Sequence, residues 1–169
     1  MTKESIKELI SYLIIIGVIV IIRSFIVTPI RVNGESMSPT LENGEIMILN
    51  KWNYHFNDIE RFDIVVVKTD NEKIIKRVIG LPGETLKVEN NILYIDGQEI
   101  KEPFLKEKTE DFNINTLGYE KIPNDCYFVM GENRNNSKDS RMIGCVSRKQ
   151  ITGKTSLVIF PLKDKGYRN

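Results

Sequence analysis

The chain has 169 residues, a formal net charge of +1 from 24 basic and 23 acidic residues, one histidine and two cysteines. Once an apolar N-terminal stretch is set aside, about 140 residues remain, enough for one compact domain with its own core. Charges spread evenly along the chain exclude a concentrated field for nucleic acid, and His55, Cys126 and Cys145, with no Cys-x-x-Cys and no His-Glu-x-x-His, exclude a metal centre; no cofactor is expected.

Leu9 to Ile22 is apolar except for Ser11 and Gly17, and past Arg23 and Ser24 the run resumes as Phe25-Ile26-Val27. That is long enough to span a bilayer with Arg23 snorkelling near one face. No small-residue cleavage pattern follows, and polar residues do not recur every third or fourth position, so a permanent transmembrane anchor over 9–27 is favoured over a cleavable leader or a buried helix. Residues 1–8 precede it and 28–169 form the domain beyond. Lys3 and Lys7 before the segment and Arg23 and Arg31 after it leave the orientation undecided on charge alone.

After the anchor, Ile46–Leu49, Ile64–Val67, Ile74–Ile79 and Leu157–Phe160 are β-branched or apolar runs bounded by Gly, Asn, Asp or Pro, which predicts a mainly β, antiparallel fold. Leu86–Glu89 and Ile92–Ile95 flank Asn90-Asn91, a two-residue hairpin turn, and Asp96-Gly97 supplies another directly afterwards. From Lys101 to Lys121 the composition turns charged and polar with little periodicity and reads as a surface excursion. Cys126 and Cys145 lie in apolar stretches; outside the cytoplasm they could pair, and free buried thiols are the favoured reading.

Ser36 sits in Asn33-Gly34-Glu35-Ser36-Met37-Ser38-Pro39-Thr40-Leu41, a turn able to present a hydroxyl beside its own amide; alone, the same pattern makes an ordinary loop. A serine nucleophile needs a base. His55, inside the aromatic run Trp52-Asn53-Tyr54-His55-Phe56, reads as packing or membrane-surface contact. A lysine serves only if desolvation or a nearby positive charge pulls its pKa toward neutrality, and Lys76 interrupts the strand Ile74-Ile75-Lys76-Arg77-Val78-Ile79. Alternation places Lys76 on the face of Ile74 and Val78, and Arg77 on the other with Ile75 and Ile79, so one of the two cations is held among apolar groups; a solvated strand-face lysine is the competing reading. The polar loop Gly131 to Arg141 follows the apolar strand Tyr127–Met130. In it Asp139 can pair with Arg77 or Arg141, and Ser137 can orient a lysine amine.

Three separated motifs coincide here, Ser36-Met37-Ser38-Pro39-Thr40-Leu41, then Lys76 to Glu84, then Gly131 to Arg141, with Asp63-Ile64-Val65-Val66 a weaker fourth. In this order they closely resemble the bacterial type I signal peptidases, in the short single-anchor form of Gram-positive bacteria. The resemblance implies a serine endopeptidase that removes signal peptides after Ala-x-Ala-like sites through an acyl-enzyme, with Ser36 the nucleophile and Lys76 the general base. It implies a barrel-like β domain facing outward from the cell membrane, the N-terminus cytoplasmic, exported preproteins and the lipid bilayer as partners, and a place open to the secretion translocon. It further implies an Asp139–Arg77 ion pair, Ser137 as orienter of Lys76, Arg141 in the supporting loop, and Met37, Leu41, Ile74 and Ile75 as pocket walls. Gly34 stands where some members carry a serine for the oxyanion hole, and Glu84, Glu132 and Asn135 replace aspartates. A related Ser/Lys processing peptidase, or a membrane-tethered β domain that binds exported peptides without cutting them, is the alternative.

Overall fold

The computed structural model describes residues 3–21, 23, 26–51, 58–162 and 165–168. It opens with helix α1, Lys3–Ile21, whose charged residues all fall in its first two turns. No described helix is long and apolar enough to cross a membrane; the uncharged part of α1, from Leu9 to Ile21, rises only about 20 Å. The helix begins six residues before the expected anchor, and Val27, expected at the anchor's end, already belongs to the first strand.

The strands are β1 (Val27–Arg31), β2 (Ile46–Asn50), β3 (Ile64–Lys68), β4 (Lys73–Gly80), β5 (Leu86–Glu89), β6 (Ile92–Ile95), β7 (Gln98–Ile100), β8 (Phe112–Asn113), β9 (Cys126–Met130), β10 (Val146–Ser147), β11 (Ile151–Phe160) and β12 (Gly166–Tyr167). A one-turn helix α2, Ser140–Ile143, precedes β10. Every pairing is antiparallel. The larger sheet runs β1-β2-β11-β3-β4-β9-β10 with β12 beside β11, and the smaller runs β7-β6-β5-β8. The barrel-like expectation is met by a curled sheet with open edges at β1 and β10. Pro29, which cannot donate to a ladder, is tolerated because β1 is such an edge.

Local chemistry explains the smaller sheet. Asn90 and Asn91 have φ of 52° and 65°, and Asp96 and Gly97 have 49° and 79°, the paired left-handed residues that a tight two-residue hairpin needs. The larger sheet depends on long-range packing. β4 touches three apolar clusters: Ile75 packs with Val32, Met37, Leu41 and Ile64; Ile74 and Val78 with Val65, Val67 and Val129; Ile79 with Leu86, Phe128 and Met130. Both faces of β4 are therefore covered, and Lys76 through Gly80 are all buried. The structure goes further than the expectation that one of the two adjacent cations is held among apolar groups, since both are buried, Lys76 3% and Arg77 1% exposed. Cys126 and Cys145 are free and only half-buried, and burial together with the neighbouring Cys145 pushes the Cys126 thiol up to about 12.

β11 crosses close to β2, and a Cβ placed on Gly153 would lie 2.5 Å from the Asn50 carbonyl oxygen. Backbone cannot yield there as a flexible side-chain tip could. Gly153→Ala is expected to cost about 1–3 kcal/mol, read as a lower urea midpoint with an unchanged slope.

Candidate active site

The nucleophile candidate lies on the turn between β1 and β2. Gly34, with φ of 86°, bends the chain there, and its amide donates to Asn43 Oδ1 at 3.0 Å. Met37 and Leu41 drive the far end of the turn into the core, 1% and 0% exposed, and the Leu41 amide donates to the Met37 carbonyl at 2.9 Å. The turn is thus pinned on both sides of Ser36. From β4, Lys76 reaches across, its Nζ 2.6 Å from Ser36 Oγ and 3.0 Å from the Ile75 carbonyl oxygen.

Burial holds the Lys76 amine down at about 8, against an ordinary 10.5, with Asp139 and Glu72 pulling the other way. Desolvation wins because the amine sits between covered sheet faces while neither carboxylate is hydrogen-bonded to it. The consequence for stability has a definite sign. An amine whose pKa is depressed in the fold favours folding more as pH climbs from the folded value of about 8 to the unfolded value near 10.5. Relative to Lys76→Met, the wild-type protein should gain thermal stability across that interval and show a constant difference below it, as checked by paired melts at stepped pH.

The loop after β9 closes the site from the other side. The Asn133 amide donates to the Ser36 carbonyl oxygen at 3.1 Å. Asp139 is fully buried: it accepts from the Gly131 amide at 3.0 Å, and from Arg141 Nε and Nη2 at 2.9 Å each. Burial pushes its carboxyl up, but the Arg141 guanidinium and the Gly131 amide outweigh this and hold it below the usual carboxylate range. The expected Asp139–Arg77 ion pair is not formed. Arg77 points to the opposite face of β4 from Lys76 and meets Glu132 Oε1 at 2.5 Å, both side chains 1% exposed, while Asp139 takes Arg141. Glu132, read from sequence as a mere replacement, is therefore the partner of Arg77. Likewise Glu84 pairs with Arg61 at 2.5 Å and accepts the Leu81 amide at 2.7 Å.

Ser137 lies beside the site, but its buried Oγ turns toward Asp139 and is not hydrogen-bonded to Lys76, so the orienting contact expected of it is absent, and the Ile75 carbonyl takes that place. A cleft of about 580 Å³ opens over the Ser36–Lys76 pair, walled by Ile30, Val32, Met37, Val66, Ile74 and Ile75 and rimmed by Glu72, Lys73 and Lys138. Leu41, expected in its wall, does not reach the cleft and packs instead in the core with Met37, Met47 and Ile64. Ile30, Val32 and Val66 were not singled out from sequence; strand alternation across β1 and β3 could have suggested Ile30 and Val66, and Val32 lies just past β1. His55 and the aromatic run 52–56 lie outside the described residues.

Gly131 is where the loop presses closest. A Cβ there would fall 2.5 Å from the Ser36 carbonyl oxygen and 2.2 Å from Ser137 Oγ. Gly131→Ala must shift the Ser36 backbone, and a displacement near 1 Å is expected to lower kcat/KM about 100-fold while the protein still melts cooperatively.

Residues 5–160 match the family model described as signal peptidase, peptidase S26. A signal peptidase I of Bacillus amyloliquefaciens is 42% identical over 160 residues, covering 89% of this chain and 86% of that protein. Signal peptidase IB of Staphylococcus aureus (strain MRSA252) is 35% identical, covering 99% and 95%. The crystal structure of a signal peptidase I from Enterococcus faecalis V583 superposes with a TM-score of 0.55 at 34% identity, covering 58% of this chain and 97% of that one. A short distance between a serine hydroxyl and a buried, uncharged-prone lysine, set in a curled antiparallel sheet and matched in sequence along nearly the whole chain, has one consistent placement: the chain belongs to the signal peptidase family, peptidase S26.

Proposed function

We propose that Ser36 and Lys76 are the catalytic dyad of this serine endopeptidase, which removes signal peptides from exported preproteins. The observation that carries the assignment is the 2.6 Å separation of Lys76 Nζ and Ser36 Oγ with the lysine almost wholly buried. A neutral amine keeps two N–H groups and one lone pair. Donation to the Ile75 carbonyl turns the lone pair toward the Ser36 hydroxyl.

Lys76 then takes the hydroxyl proton as Ser36 Oγ bonds to the carbonyl carbon of the scissile peptide. The Ser36 amide stabilises the oxyanion; the Gly34 amide is already engaged by Asn43 and does not serve as the second donor. Collapse of the tetrahedral intermediate breaks the C–N bond, and the Lys76 ammonium gives its proton to the leaving amine. Water, deprotonated by the same lysine, cleaves the ester and restores Ser36. The cleft walls of Ile30, Val32, Met37 and Ile75 suit small apolar side chains before the cut, in keeping with Ala-x-Ala-like ends.

In this reading α1 is the described helical part of a membrane anchor that the sequence continues with Ile22 and Phe25-Ile26, with the catalytic domain outside the cytoplasmic face. Supporting it, none of the α1 side chains is buried against the domain, and those from Leu9 to Ile21 stand exposed on all faces, an arrangement that only an apolar surrounding stabilises. Enzyme and precursor held in one bilayer meet at raised effective concentration, so a shallow cleft with few contacts suffices.

The test is cleavage of a purified precursor with an Ala-x-Ala site in detergent. Ser36→Ala and Lys76→Ala should each lower turnover by a factor on the order of 10⁴ or more. His55→Ala should retain it, and wild-type kcat/KM should rise with pH through about 8 as Lys76 loses its proton. Binding without cutting by the wild-type protein, or loss of activity in His55→Ala alone, would overturn the dyad.

A further inference from the structure

The polar excursion between β7 and β9 reaches the dyad from behind. Phe104 lays its ring over the Arg77 guanidinium, 4.1 Å from the carbon of the fork to the ring centroid, and meets Phe62 edge-on at 5.2 Å. Arg77 follows Lys76 directly in β4. Its Nε and Nη2 donate to Glu132 Oε1 at 3.0 and 2.5 Å and its Nη1 to the Phe62 carbonyl at 2.7 Å. Although Arg77 borders a surface groove of about 540 Å³ shared with Pro39, Phe62, Pro103 and Phe104, it is only 1% exposed. The Phe104 ring, which lines the same groove, covers one face of the guanidinium.

The same excursion grips the site a second time. Arg134, 3% exposed, is ion-paired with Glu102, donates to Thr109 Oγ1 at 2.7 Å and, through its own Nε, to the Gly131 carbonyl at 2.9 Å. Glu132 and Arg134 belong to the loop whose Asn133 amide holds the Ser36 carbonyl. Residues 102–109 therefore fasten β4 just past Lys76 and the loop against Ser36, although no residue of 102–109 lines the cleft.

We propose that the excursion is a clamp on the dyad, with Phe104 a positioning residue that keeps water off the Arg77–Glu132 pair and so keeps Lys76 and Ser36 in register. This deepens the Ser/Lys reading and rests on it. Without the ring, water reaches the guanidinium, the pair loosens, and the 131–134 loop slackens from the Ser36 backbone, admitting water to the lysine amine. A rehydrated amine returns toward its ordinary value.

The experiment is kcat/KM against pH for the full chain in detergent, with a ¹³Cε-lysine titration of Lys76 as a readout independent of turnover. Phe104→Ala should move both the acid limb and the Lys76 titration upward by about one pH unit, a loss of about tenfold in kcat/KM at neutral pH, and Phe104→Tyr should restore both. Phe112→Leu, which loosens a ring contact of the same excursion with Phe128 but touches neither Arg77 nor Arg134, should lower the melting temperature and leave both readouts in place. If Phe104→Ala gives no cooperative melt, Glu102→Gln is read the same way, with the same upward shift expected. A folded Phe104→Ala or Glu102→Gln with an unmoved Lys76 titration overturns the clamp. A wild-type protein that cuts no precursor overturns the Ser/Lys reading instead, and the titration still decides the clamp.

Discussion

A primary amine held out of water beside a serine hydroxyl is the constraint on which the rest of this structure depends. An exposed lysine is a cation at neutral pH and no base at all. The same group between two covered faces of β4 loses its proton near 8, because the surrounding valines and isoleucines offer nothing to solvate a charge. Burial must stop short of completeness, however, since the amine needs one polar neighbour to fix its lone pair and one to receive it. The Ile75 carbonyl and Ser36 Oγ supply these two contacts.

Keeping a lysine neutral requires that a nearby carboxylate be engaged elsewhere, because an unpaired one favours the ammonium. Arg77, one residue along, points to the opposite face and is satisfied by Glu132, Phe62 and the Phe104 ring. Asp139 is the carboxylate with the largest pull on Lys76, and Arg141 and the Gly131 amide occupy its oxygens. Removing either arginine would leave a buried carboxylate without a counter-charge, which in a low-dielectric site costs several kcal/mol. The loop 131–141 is thus less a scaffold of many weak contacts than three ion pairs, of Glu132, Arg134 and Asp139, arranged so that none includes the lysine.

How much of this could be read from the sequence varied with the range of the forces involved. The β5-β6-β7 meander was legible because Asn90-Asn91 and Asp96-Gly97 are local chemistry, each turn carrying its own requirement for positive φ. The strands β2, β3 and β4 were legible from β-branched content. The two-residue strands β8, β10 and β12 carry no period to detect, and β1 is obscured by Pro29 and by the apolar helix before it. In β4 the alternation rule gave the facing of Lys76 and Arg77 and missed that both are buried, because burial is decided by what covers a sheet rather than by the strand itself. Ion-pair partners failed for a similar reason: Asp139 and Glu132 are both acidic residues of one loop, and which of them meets Arg77 depends on side-chain facing across the sheet.

The same reasoning accounts for the excursion at 101–121, which looked featureless because its informative residues act singly and at a distance. Glu102, Phe104 and Thr109 share no periodicity, and each finds its partner 25 residues or more away along the chain or on another element. A segment that is mostly solvated can still fix a catalytic geometry if a few of its side chains reach buried cations, since an ion pair shielded by a ring resists water far better than its contact area suggests. In a site whose base works only while dry, the segments that exclude water from its supports are as much a part of its chemistry as the residues that line the cleft.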